Sequence, residues 1–166
     1  MTPKPPSEGS RVRISLLADH PQDSATIARW YFDEWASMAP DITLEKIHAK
    51  VAQAIHRDSL PLTLLAHDEH DLVGAAELKF RENRNHPDYE HWLGGVFVSP
   101  EHRGRGISTV LITAALEHAV RAGVKHLYLQ CEDRHLKLYE RHGFKPLHQA
   151  RHHDLVISIM VWSRPA

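Results

Sequence analysis

The chain has 166 residues, 42% apolar and 25% charged, which suits one hydrophobic core of ordinary domain size and leaves no length for a second. Its 20 basic and 21 acidic side chains leave a formal charge of −1 at pH 7, so no global field points to nucleic acid or an anionic membrane. A single cysteine excludes an internal disulfide framework, and with no signal-like or long apolar stretch the expected setting is soluble, reducing and cytoplasmic.

Residues 1–10 are rich in proline, glycine and serine without hydrophobic period, and read as a disordered extension to a single domain over 11–166. Val12 to Leu17 reads as a first strand. Asp19 and Pro21 then announce a helix that carries Ile27, Trp30, Tyr31 and Trp35 on one face, as core or as the lining of a substrate mouth. Pro40 ends it. Thr43 caps a second helix with Glu45 in its first turn and Leu44, Ile47, His48, Val51 and Ile55 as its buried stripe.

Leu60–Ala66 and Leu72–Phe80 form a hairpin around the turn His67–Asp71. The polar loop Arg81–Glu90 follows, then the strand His91–Val98 with Gly94 and Gly95 inside it, a pair that marks a bulge or a close approach. Ile107, Val110, Leu111, Ala114, Ala115 and Ala119 keep helical spacing until Gly123. Lys125–Cys131 alternates as a strand parallel to His91–Val98, a short helix spans Arg134–His142, and Phe144–Ala150 and Leu155–Trp162 close the sheet around the turn Arg151–Asp154. The fold class is therefore α/β with a mixed sheet.

Between the strand and the long helix lies Arg103, Gly104, Arg105, Gly106. Unpartnered amides and the positive dipole end at a helix start, left bare by glycine and flanked by arginines, make an anion cradle for a phosphorylated cofactor. A dinucleotide site would need a third glycine where Thr109 stands, and a second mononucleotide half. A Walker site would need a lysine and hydroxyl pair after the final glycine, and Ile107 before Ser108 leaves that pair without its lysine.

The run from Arg103 to Ser108 after a strand and proline turn, with Leu138, Tyr139 and then Gly143, Phe144, resembles the two motifs of the GNAT superfamily of acetyl-coenzyme A (acetyl-CoA) dependent N-acetyltransferases. Motif-level agreement covers about the last 75 residues. The resemblance implies a GNAT-like fold of about seven strands, with a splayed central parallel pair and about four flanking helices. It implies that acetyl-CoA is held through Arg103, Gly104, Arg105, Gly106, Ser108 and Thr109 at its pyrophosphate, and through the backbone of Phe97 and Val98 along its pantetheine arm. Ser108 departs from the usual small final residue, and Glu132 and His135 stand where relatives carry asparagine and alanine.

Acetyl transfer to an amine needs a neutral nucleophile, a polarised carbonyl and a proton for the leaving thiolate. Tyr139 is similar to the family's general acid, and a backbone N–H near Val96 to Val98 is the candidate polariser. The strand position where several relatives place a glutamate is Trp92, so Glu77 and His91 are the candidate bases, with Glu90 beside them. Asp88 and Glu90 are candidate attractors of a cationic amine. Cys131 reads as a structural thiol, and the histidines lack metal-ligand spacing, so no metal is expected. The expected reaction is direct transfer to a primary amine, with a small molecule favoured over a protein or peptide N-terminus, and a homodimer is the expected assembly. The alternative is a coenzyme A-binding sensor without turnover.

Overall fold

In a computed structural model of the protein, residues 12–35, 39–152 and 155–166 are described. The extension at 1–10 and the tip of the last turn lie outside them. The described strands are β1 (Arg13–Leu16), β2 (Leu62–Asp68), β3 (Asp71–Phe80), β4 (His91–Val98), β5 (His126–Cys131), β6 (Lys145–His152) and β7 (Leu155–Ser163). The helices are α1 (Ser24–Trp35), α2 (Leu44–Gln53), α3 (Ile107–Arg121) and α4 (Leu136–Glu140). The sheet runs β1-β2-β3-β4-β5-β7-β6, with β4 and β5 parallel and every other neighbouring pair antiparallel.

Period-2 alternation divides the apolar side chains between two faces. On one face Ile27 and Tyr31 of α1 and Val51 of α2 pack on Leu65, Ala75 and Phe97. On the other, Ile107, Leu111 and Ala115 of α3 cover Leu64, Val73, Leu78 and Leu129. Each leucine, isoleucine or valine among them, fully buried, contributes about 1.5–3 kcal/mol. Helix α3 stops where the spacing says it should. Gly123 takes φ +81°, and the Gly123 and Val124 amides donate to the Val120 and Ala119 carbonyls, satisfying groups the helix end leaves open.

Three expectations shift. Ile55 is not in the α2 stripe, because the chain leaves the helix at Ala54 (ψ 55°), and Ile55 bridges Leu62 with its side chain 46% exposed. His48 is exposed and turns its ring to Ser24 Oγ at 3.1 Å instead of entering the core. Phe144 precedes β6 as a buried core residue rather than starting the strand.

Candidate active site

The centre of the sheet is open. The β4–β5 ladder consists of the pair Trp92↔Tyr128, beyond which the two strands diverge. On its other edge β4 carries a bulge. Ala75 faces Phe97 and Glu77 faces Gly94, so Ala76 alone opposes Gly95 and Val96. Gly95 has φ +57°, which an L side chain enters only at a cost. The close approach expected at these glycines is made by the protein's own side chains. A Cβ on Gly95 would meet the Tyr31 hydroxyl at 2.5 Å, and one on Gly94 would meet Lys79 Cε at 2.6 Å and both Glu82 carboxylate oxygens at 3.0 Å.

Between the end of β4 and α3 lies a cleft of about 210 Å³, lined by Val98, His102, Arg103, Gly104, Gly106, Ile107, Ser108, Thr109 and Leu138. Gly104 and Gly106 take φ +81° and +80°, and a Cβ on either would meet no atom within 4 Å, so nothing crowds this stretch of backbone on its side-chain side. No acidic residue lies in the first turn of α3, and its N-cap, Gly106, supplies no side-chain acceptor. No carboxylate of α3 therefore competes for the dipole at this helix start, and a glycine-bearing cleft there fits a coenzyme A pyrophosphate.

The two arginines are placed differently from each other. Arg103 donates from Nε to the Val98 carbonyl at 2.9 Å, sits over the Phe97 ring at 5.4 Å, and reaches Glu34 of α1 at 3.9 Å. It braces the cradle against α1. Arg105 pairs with Asp68 at 3.3 Å, at the end of β2. Gly106→Ala should weaken coenzyme A binding by about tenfold, or about 1.4 kcal/mol by isothermal titration, and cost about 1–2 kcal/mol of stability for a side chain at positive φ.

A charged cluster lies on the α1–α2 face of the same strands. Lys79 Nζ is 2.8 Å from Glu82 Oε1 and 3.8 Å from Glu77 Oε2. Glu82 Oε2 and Thr63 Oγ1 are buried without a hydrogen-bond partner among the described residues, and Thr63 stands opposite Glu77 in the β2–β3 register. Burial pushes the Glu77 carboxyl above its ordinary 4.5, against the pull of Lys79 and with help from Glu82. Burial opposes the charge on Lys79, but Glu82 and then Glu77 outweigh it and hold the ammonium.

The sign for stability follows from the raised Glu77 value: its contribution is full below the ordinary carboxylate pKa and is lost as pH rises through the folded one. Glu77→Gln cannot titrate. Its melting temperature should gain on the wild type as pH is raised from below 4.5 through neutrality, and a constant gap would contradict the burial of that charge.

The sequence-based candidates are not all gathered here. His91 opens β4 opposite Phe80, on the other face from Glu77 and Lys79 by strand alternation, and its ring lies 3.7 Å from Glu90. Glu90 also meets Arg81 at 4.0 Å and is exposed, as is Asp88. Tyr139 lies against the α3-side core, its ring edge-on to Phe144 at 5.9 Å. Burial raises its phenol above the ordinary 10.0, with Cys131 and Glu82 adding to the rise. Cys131 is buried near Met160 Sδ at 3.8 Å, and burial pushes its thiol up to about 11, so it stays a thiol at neutral pH.

Lys79 and Glu82 escaped the sequence reading. The signal was there in the alternation of β3, which puts Glu77 and Lys79 on the same inward face as Ala75, where an apolar pattern was due. Glu82 was hidden in a polar loop. That loop is pinned by Asn83 to Gln130 at 3.0 Å, by Trp92 Nε1 to the Tyr89 carbonyl at 2.6 Å, and by Tyr89 stacked on Tyr128 at 4.2 Å.

A diverging parallel pair, a glycine-lined cleft at the next helix start and a half-buried phenol beyond the second strand are the arrangement expected of an acyl transferase that draws on a coenzyme A thioester. Residues 24–144 match the model of the acetyltransferase (GNAT) family, and the chain belongs to that family. It is an N-acetyltransferase whose acetyl donor is acetyl-CoA.

Solved structures share the fold. An acetyltransferase of the GNAT family from Streptococcus pneumoniae aligns with a TM-score of 0.67 at 17% identity, covering 92% of this chain and 98% of that one. The Salmonella typhimurium protein yncA, solved with its cofactor acetyl-CoA, gives 0.71 at 17% over 92% and 93%. A spermidine N-acetyltransferase SpeG chimera from Vibrio cholerae and hSSAT gives 0.67 at 20% over 92% and 95%.

Proposed function

We propose that the chain moves the acetyl group directly to a primary amine, a small cationic molecule in preference to a peptide N-terminus, with both substrates bound together. The observation that carries the acceptor is the buried, donor-less Oε2 of Glu82 beside Gly94. An unpaired buried carboxylate oxygen is costly, and the N–H groups of an ammonium satisfy it. The cluster of Glu77, Lys79 and Glu82 carries one net negative charge when all three are ionised, which favours a cation over an anion. The acceptor of the SpeG chimera, spermidine, is an amine of this kind.

In this reading the amides of Gly104 to Thr109 bind the pyrophosphate, and the free edge of β4 at Phe97 and Val98 pairs with the pantetheine arm. Acetyl-CoA supplies an activated acetyl thioester when bound. Glu77 and Glu82, rather than His91, accept the ammonium proton. Tyr139 holds a proton for the departing sulfur, and its raised pKa keeps that proton in place throughout the neutral range. Free-thiol release from acetyl-CoA across a panel of polyamines, small primary amines and N-terminal peptides tests the proposal. Turnover should favour the small cationic amines, and micromolar coenzyme A binding without turnover on any of them would make the chain a binding module instead.

A further inference from the structure

We infer that Tyr31 is a positioning residue for acetyl transfer: its hydroxyl holds the Gly95 carbonyl and so presents the Val96 N–H to the cofactor side of the sheet. The inference rests on the reading that a β4 amide polarises the thioester carbonyl. Tyr31 reaches the bulge from α1 and donates to the Gly95 oxygen at 2.7 Å. The peptide is planar and trans, so its C=O and N–H point in opposite directions. A Gly95 carbonyl drawn toward α1 therefore sends the Val96 N–H to the opposite face. That is the α3 side, where Val96, Leu138 and Tyr139 pack against one core.

The local geometry requires such a tether. The bulge takes one peptide out of the regular β3–β4 ladder, so the ladder alone does not set its tilt. Gly95 at φ +57° has little steric preference of its own, which leaves the orientation to whatever its carbonyl binds. The Tyr31 ring is buried against Trp35 at 5.2 Å, so the phenol has little freedom to move away. Burial, then the Glu77 charge and a hydrogen-bonding interaction with the Glu77 carboxyl, raise its pKa well above 10.0 and keep it protonated. A purely structural aromatic would need the ring and not the hydroxyl.

Tyr31→Phe removes that hydroxyl and keeps the ring. In the full-length protein, kcat should fall by about 10- to 100-fold while KM for acetyl-CoA stays within about threefold. A second readout needs no turnover. In amide-resolved NMR of the wild type, the Val96 proton should move further downfield with acetyl-CoA than with coenzyme A, which lacks the carbonyl, and Tyr31→Phe should abolish the difference. An unchanged kcat overturns the inference, as does a Val96 response that is the same for both ligands or the same in both proteins. A joint loss of melting temperature, kcat and acetyl-CoA affinity also overturns it, since it marks general loosening. If the wild type releases no thiol with any amine of the panel, the acetyl-transfer reading fails, and the Val96 shifts still decide the role of Tyr31.

Discussion

Tyr139→Phe is expected to lower kcat by about 10²- to 10⁴-fold, the usual worth of a general acid, while KM for acetyl-CoA changes by no more than about threefold. That is a loss of about 3–5 kcal/mol of transition-state stabilisation. The substitution removes one oxygen. The ring keeps its edge-on contact with Phe144, and the Tyr139 carbonyl still accepts from the His142 and Phe144 amides, so folding should be untouched. Burial, Cys131 and Glu82 hold the phenol protonated above its ordinary range, so the wild-type rate should not decline through deprotonation of this group below pH 10.0. Steady-state kinetics with a competent amine, beside a urea melt, separates the roles. An unchanged kcat in a folded variant removes Tyr139 as the acid.

Trp92→Ala should cost about 3–5 kcal/mol of stability, read from the urea midpoint at constant m-value. The side chain is fully buried. It stands at the one register pair joining β4 to β5, packs on Tyr128 at 5.8 Å, and gives its indole N–H to the Tyr89 carbonyl at 2.6 Å. Alanine leaves a large cavity and an unpaired carbonyl in the same place. Function should suffer too, because Trp92 secures the loop that returns Glu82 to Gly94, and thiol release should fall under conditions where the variant is still folded. Trp92→Phe should recover most of the stability. A loss below about 1 kcal/mol for the alanine variant would mean that the loop holds itself.

These two positions show how much of the site could be read in one dimension. Tyr139 was singled out through the resemblance of its Leu138-Tyr139 and Gly143-Phe144 run to a family motif, since a short helix with a glycine stop carries no chemistry of its own. The proposed cradle could be read locally, because Gly104 and Gly106 at a helix start signal exposed backbone. Trp92 was legible only as the absence of an expected carboxylate. Glu82, the carboxylate proposed in its stead, comes from ten residues earlier in the chain, across a loop, and nothing local to it says that its carboxylate fills the space left by Gly94. His91 looked equivalent to Glu77 as a base until strand register put the two on opposite faces.

By itself the sequence carried the elements and the mixed sheet through short-range periodicity, and the family with its acetyl-CoA donor through resemblance to two motifs whose parts are neighbours in the chain. Only the tertiary structure brought together the groups proposed to receive the acceptor. Tyr31 from α1, Glu77 and Lys79 from β3, Glu82 from the loop and the peptide after Gly95 meet through the register of β3 on β4 and the packing of α1 on the sheet. The physical reason is that burial and charge pairing depend on distance in space, and the bulge at Gly95 changes which groups face each other without leaving more than a glycine in the sequence.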